Sequence, residues 1–435
     1  MKHLIQALEG DFIETKESLI FDVKGIKHPK NHVIAYLRYF PLKLFIKKTS
    51  EFVNKSLNSI SSSVNSQYKI WKNTNDKIHH LVSSPVFTLN EETKKQLISL
   101  FRQGFNFTID DIRERKPSNE IYCKVYDVRS RFDILSMSFP EYIYCPKNYD
   151  FPLQAVPCNR IKEIHKPEHY LKTLLEKNIQ KSEHDSRESF IKTLKSLIQM
   201  FIDYTGIERD HIGLSGSYMV QLEGFSSDFD LIVYTRQDSL KLYEWLSYSL
   251  ECIDKLNRDV EPLQIEKYSG EKLKKHYEFR TKGFNIPFDQ FKKYELRKKH
   301  QFLVNQIDTF IRFLKSNRES LPETMEFERE EIFSLGRIKL TGLITDDSDA
   351  IYTPAHYKVQ IQNILTMDLE MDKIDELSSS EFQELIPQKN KSIIVTTLRG
   401  RFIEQAFKCE NVLIAGKLEL IKKVSLSDEK KNSRY

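Results

Sequence analysis

The chain has 435 residues and a formal net charge of +5, a mildly basic balance that neither demands nor excludes a nucleic-acid partner. Hydrophobic residues make up 40% of it, which excludes an intrinsically disordered chain, and the length calls for about two to four domains. The five cysteines, Cys123, Cys145, Cys158, Cys252 and Cys409, are widely spaced with no C-x-x-C pair. That pattern argues against a disulfide framework or zinc site and for a reducing, cytoplasmic setting. No N-terminal signal-peptide core and no membrane span is indicated.

Short strands are expected over residues 11–16, 18–24 and 33–40, separated by turn residues such as His28-Pro29-Lys30. Residues 45–90 read as a polar insertion, helical or loosely ordered. A helix follows near 91–105, then mixed strands and loops, with 142–157 as an extended connector rich in proline and tyrosine. These pieces make an N-terminal mixed α/β domain over 1–160.

The next helix is marked by Phe190, Ile191, Leu194, Leu197, Ile198 and Phe201 at helical spacing. Asp185 and Glu188 suit its start and Gly206 its stop. A short strand at 212–214 leads to Gly216-Ser217, then to one or two helical turns over 218–222 ended by Gly224. A strand of β-formers spans 229–234. Asp238 then caps a helix carrying Leu240, Tyr243, Leu246 and Leu250.

The most informative stretch is Gly216-Ser217 followed by Asp228-Phe229-Asp230-Leu231. Residues i and i+2 of a strand share a face. Asp228 and Asp230 therefore project together and repel each other unless a cation lies between them. Mg²⁺ takes one or two protein carboxylates plus phosphate oxygens. A glycine turn that opens a helix can hold a phosphate on its free N–H groups. The competing reading is a solvated strand start with turn residues before it.

The order of helix, strand, Gly-Ser turn, short helix, acidic strand and helix resembles the nucleotidyltransferase superfamily related to DNA polymerase beta. Ser215 departs from the apolar residue usual before the glycine. The resemblance implies that Asp228 and Asp230 bind Mg²⁺, with Mn²⁺ as a substitute, and that Gly216, Ser217 and Ser227 hold a nucleoside triphosphate. It also implies a third carboxylate from a later strand, since two-metal transfer needs one.

Downstream, residues 267–300 are basic and aromatic. Lys274, Lys275, Arg297 and Lys298, with Tyr268, Tyr277 and Tyr294 among them, form either a nucleic-acid surface or a solvated helical face. Residues 307–313 read as a strand with Asp308, Phe310 and Arg312 on one face, although Leu303, Ile307, Phe310, Ile311 and Leu314 also fit a helix. Asp308 is the candidate third carboxylate. Asp289, after Pro287, is the second choice. The nucleotidyltransferase domain is assigned to 161–322.

Strands over 331–344, 350–359, 392–398 and 411–421 suggest a small OB-like barrel in a C-terminal domain, 323–424. Gly400-Arg401-Phe402 and Gly416-Lys417 would place basic groups near turns. Asp346-Asp347-Ser348-Asp349 reads as an acidic hairpin turn, since it lacks a calcium loop's length and glycine. Residues 425–435 read as a disordered tail.

The whole layout resembles a family of nucleotidyltransferases inferred in archaea with no assigned substrate. Residues 12–25, 151–157, 400–406 and 416–419 carry that likeness together with the Gly-Ser and acidic motif. The fold class is α+β and multidomain. The expected function is Mg²⁺-dependent transfer of a nucleoside monophosphate from a nucleoside triphosphate to an acceptor hydroxyl, with RNA favoured as acceptor. The rivals are a catalytically inactive nucleotide- or RNA-binding protein that keeps the fold, and a small-molecule nucleotidyltransferase.

Overall fold

The structure is a computed structural model that describes residues 6–423, apart from 60–64, 85–86, 177–184, 225–226, 261, 282–286, 319–326, 328–329, 371–386 and 398–407. The Gly400-Arg401-Phe402 turn and the 425–435 tail lie outside the described residues, as does the Asp185 side chain. The chain is α+β, with three sheets among the described residues. Among the described residues no helix is long and apolar enough to cross a membrane.

The N-terminal sheet is built from β1 (Phe12–Thr15), β2 (Ile20–Val23) and β3 (His32–Pro41). Three helices follow, α1 (Leu42–Ser59), α2 (Asn65–Val82) and α3 (Glu91–Gly104). Then come β4 (Asp111–Arg115), β5 (Glu120–Lys124), α4 (Val128–Ser138), β6 (Ile143–Tyr144), β7 (Leu153–Pro157) and β8 (Ile161–His165). The strand order is β4-β5-β3-β2-β1-β8, and all pairs are antiparallel. β3 is long enough to pair β5 through Tyr39–Pro41 and β7 through His32–Ile34. The stretch expected as an extended connector thus contributes two strands. The described part of the polar 45–90 stretch is mostly helical. Its scattered apolar residues Phe45, Ile46 and Ile78 are fully or nearly buried against Phe21, Leu37 and Phe101. Each such buried side chain contributes about 1.5–3 kcal/mol.

This sheet is covered on both faces. One face carries Ile13, Phe21, Leu37 and Cys123 toward the helices. The other carries Phe12, Ile20, Tyr39 and Tyr122, which pack on Met219, Val220 and Leu222 just beyond the Gly-Ser turn.

The middle region runs α5 (Pro167–Glu176), α6 (Asp185–Thr205), β9 (Ile212–Leu214), β10 (Phe229–Val233), α7 (Arg236–Ser249) and α8 (Ile253–Asp259). It continues with β11 (Ile265–Glu266), α9 (Gly270–Arg280), α10 (Phe288–Glu295), β12 (Gln301–Val304) and β13 (Ile307–Phe313). The sheet order is β11-β12-β13-β10-β9. β10 runs parallel to β13 and antiparallel to β9. Phe190, Leu194, Leu197 and Phe201 of α6 pack on Phe229, Leu231 and Val233.

Residues 307–313 form a strand, not a helix. Asn305 and Gln306 take φ of 48° and 67°, the two left-handed residues of a tight hairpin turn, and Val304 pairs Ile307 across it. Residues 218–222 form a tight turn in place of the expected helical turns. α7 is capped by Thr235, whose Oγ1 accepts from the Asp238 N–H at 3.3 Å. Asp238 itself cannot cap, because its carboxylate accepts from His211, Lys241 and the Glu208 N–H.

The C-terminal region holds β14 (Glu330–Asp349), β15 (Ala355–Leu369), β16 (Ser392–Thr397) and β17 (Asn411–Lys423). The described strands form an open antiparallel sheet in the order β16-β15-β14-β17, and no pairing of β16 with β17 closes the expected barrel. β14 is the reason: its 20 residues pair β15 on one edge and β17 on the other along most of their length. The acidic hairpin turn anchors this sheet, with Asp349 binding Arg236 at 2.6 Å and Lys315 at 2.5 Å.

Candidate functional site

β10 is buried on both faces, so its acids are enclosed at one end. Asp230 is 9% exposed, while Asp228, just before the strand, is open to solvent. The turn after β9 folds back onto Asp230: the Ser215 N–H donates to the Asp230 carbonyl at 2.8 Å. Gly216 has φ +81°, and a Cβ there would lie 3.2 Å from the Asp230 Cβ and 3.4 Å from its Oδ2. Glycine is therefore required both for the backbone and for the close approach. Ser217 Oγ meets Ser227 Oγ at 3.1 Å, and the Gly224 N–H donates to Ser227 Oγ at 2.8 Å. The sequence reasoning thus placed Gly216, Ser217, Ser227, Asp228 and Asp230 on one folded loop and strand, and the structure brings them together.

Asp308 lies on β13, exposed, and accepts from the Tyr268 hydroxyl at 2.8 Å. The residue of β13 in register with Asp230 is Phe310. Among the described residues Asp228, Asp230 and Asp308 do not form a set of three whose ligand oxygens all lie within 4.8 Å of one another. Asp289 is exposed in the first turn of helix α10, off the sheet, with Pro287 at the helix cap. Of the basic candidates, Lys274 and Lys275 are exposed on α9, and Lys275 pairs with Glu271 at 2.9 Å. Arg297 binds Glu410 at 2.8 Å, and Lys298 is buried against Glu295 at 2.8 Å.

The sequence reading missed the groups that face the acidic strand. Apart from Arg312 of β13, they come from the N-terminal region. The Gly10 turn, at φ +91°, lies over β10, where a Cβ would be 2.4 Å from Ile232 Cδ1. Ser215 Oγ donates to the Gly10 carbonyl at 2.7 Å. Arg312, 3% exposed, pairs with Glu9 at 3.1 Å and approaches Asp230 at 4.0 Å. Lys24 bridges Glu9 at 3.3 Å and Asp22 at 2.8 Å. Burial pushes the Asp22 carboxyl up, but Lys24, Arg312 and Arg38 outweigh it and hold its pKa at about 2. Beside them the Arg38 guanidinium stacks on Tyr126, 3.8 Å from the ring centroid, and Lys124 Nζ lies 4.7 Å from the same ring. The available signal was alternation: Asp22 in β2 with Lys24 just after it, like Tyr36 and Arg38 in β3, are polar pairs set two apart among mostly apolar residues.

Asp228 and Asp230 suit a divalent cation: oxygen donors, a shared strand face and an open side at Asp228. A second cluster, Glu14, Glu163 and His165, brings ligand atoms within 4.8 Å of one another. Both Glu14 oxygens already accept from cations, Arg115 and Lys162, each at 2.7 Å, which leaves that group poorly suited to a metal.

No family profile matches the chain, and no solved structure matches it. The chain is similar to an uncharacterized protein of Methanocaldococcus jannaschii, with 24% identity over 353 residues, covering 81% of this chain and 80% of that protein.

Proposed function

We propose that the protein is a nucleotidyltransferase of the DNA polymerase beta type, moving a nucleoside monophosphate from a nucleoside triphosphate to an acceptor hydroxyl. The observation that carries this is the fit of Gly216 against Asp230: a left-handed glycine turn pressed onto the second acid of an Asp-x-Asp strand, in a sheet where β10 has an antiparallel neighbour and a parallel one. In the reaction the acceptor oxygen bonds to the α-phosphorus, and the bond from that phosphorus to the bridging oxygen breaks. Pyrophosphate leaves with the electron pair, and the hydroxyl proton passes to water. Asp228 and Asp230 would hold Mg²⁺, which when bound supplies positive charge to the phosphate oxygens. The chain's own residues position the reactants and shape the field around them. Gly216 lets the turn lie against Asp230, and the contact of Ser217 with Ser227 holds the loop beside it. RNA remains the favoured acceptor, with the exposed lysines of α9 available to its backbone.

The test is incubation of the protein with each α-³²P-labelled nucleoside triphosphate, Mg²⁺, and cellular RNA and protein, beside Asp228→Ala/Asp230→Ala. Label should enter an acceptor only with the aspartates intact. Metal-dependent nucleotide binding without any transfer would replace this reading with the binding-protein one.

A further inference from the structure

Ser217 is buried and engaged with Ser227, and the turn after it opens no helix. The Gly-Ser turn therefore has few groups to neutralise a triphosphate. The cations that can do so come from the N-terminal region. Lys124 and Arg131 are 8% and 5% exposed, and Arg38 is half-buried and feels the Asp230 charge. Among the described residues no salt bridge joins Arg38, Lys124 or Arg131 to a carboxylate. The Arg38 Nε is buried without a hydrogen-bond partner. Arg131 donates only to the Val125 carbonyl, at 3.2–3.3 Å. Burial and the neighbouring Arg38 charge pull its pKa down to about 10. Enclosed cations without an ion-pair partner are costly, and Arg38 and Arg131 repel one another.

The surroundings say which anion fits. The Lys124 ammonium donates to Tyr126, whose hydroxyl feels the Asp228 charge. The Arg38 guanidinium is opposed by burial but favoured by Tyr126, Tyr39, Asp22 and Asp230. Cations without a salt-bridge partner beside a carboxylate pair make the site bipolar. It matches a ligand carrying several negative charges at one end and a divalent cation beside them. A nucleic-acid backbone would need an open track of basic groups instead.

We propose that Arg38 and Lys124 form the polyphosphate site of this protein, taking the β- and γ-phosphates of the nucleoside triphosphate opposite Asp228 and Asp230. Tyr126 holds the two cations in place, and Arg131 adds positive potential behind them. The N-terminal sheet is then half of the active site. This rests on the nucleotidyltransferase reading for the identity of the whole ligand, but the anion site can be tested apart from it.

The experiment is calorimetric titration of the full chain with inorganic tripolyphosphate and Mg²⁺. Arg38→Gln and Lys124→Gln should each weaken binding about tenfold or more, as loss of a charge-assisted phosphate contact does. Arg209→Gln, an exposed cation elsewhere, should leave it unchanged. Arg38→Lys keeps the charge but not the two-pronged grip, so a smaller loss of about threefold is expected; it serves if Arg38→Gln does not fold. Undiminished binding in the Gln variants, or no binding by the parent chain, would overturn the site. If binding depends on Arg38 and Lys124 while no label transfer occurs, the anion site stands and the transferase reading falls. If transfer occurs with an unchanged nucleotide KM in both Gln variants, the reverse holds.

Discussion

Glu295 shows what a charged residue costs and contributes inside this protein. It is 6% exposed and lies between His276 and Lys298, each at 2.8 Å. Burial pushes its pKa up, but hydrogen bonding to His276 and the Lys298 charge bring it down to about 2. A carboxyl depressed on folding stabilises the fold above its unfolded pKa and loses that contribution as the pH falls through its folded one. The shift from 4.5 corresponds to about 3 kcal/mol. Glu295→Gln should therefore lower stability by about that much at pH 7 in urea unfolding. The gap from the parent protein should begin to shrink below pH 4.5 and be small near pH 2. An equal gap at pH 7 and pH 3 would show that the ion pair is not its source. The same contact explains why Lys298, a surface phosphate contact by sequence, is an interior residue.

At the scale of elements, the turn between β9 and β10 is the piece whose shape matters most. Gly216→Ala would force a Cβ into a left-handed backbone, a penalty of about 1–2 kcal/mol, and press it against Asp230. We expect the proposed transfer activity to fall about a hundredfold, as a displacement of the order of 1 Å at a reacting centre can produce, with the far-ultraviolet circular dichroism unchanged. Retained activity would mean that this contact does not position Asp230. The acidic strand and this turn were legible in the sequence because glycine and the i, i+2 spacing act locally. The neighbouring strand was half legible. The Asn305-Gln306 turn settled β13 as a strand, while both periodicities fitted the same apolar residues.

At the scale of the whole molecule, Arg318 ties the first segment to the middle region. It binds the fully buried Asp11, Glu168 at 2.5 Å and the Gln6 carbonyl at 2.9 Å. Burial raises the Asp11 pKa to about 6 in spite of Arg318. Folded Asp11 thus binds a proton more readily than the unfolded chain, and at this site stability rises as the pH drops from about 6 toward 3.8. Arg318→Met should cost about 3–5 kcal/mol at pH 7.5, the range for stranding buried charges. The cost should be smaller at pH 5, where Asp11 is protonated. Urea unfolding at the two pH values measures both, and a pH-independent loss would assign the effect to packing instead.

The sequence by itself determined the local chemistry: the Gly-Ser turn, the paired aspartates, the helix α6 before them and the alternating strands of the first and last regions. Those features depend on neighbours two to four residues apart, and their physics travels with the segment. Tertiary structure alone decided the rest. It set Phe310 rather than Asp308 beside Asp230, sent Lys298 inward, left the C-terminal sheet open among its described strands, and gathered Arg38 and Lys124 around Tyr126 near the acidic strand. The N-terminal sheet is buried on both faces, so its alternation marks two sides without saying what either one meets. Contacts between residues more than a hundred positions apart, such as Gly10 with Ser215, depend on how the sheets pack, which no local spacing records.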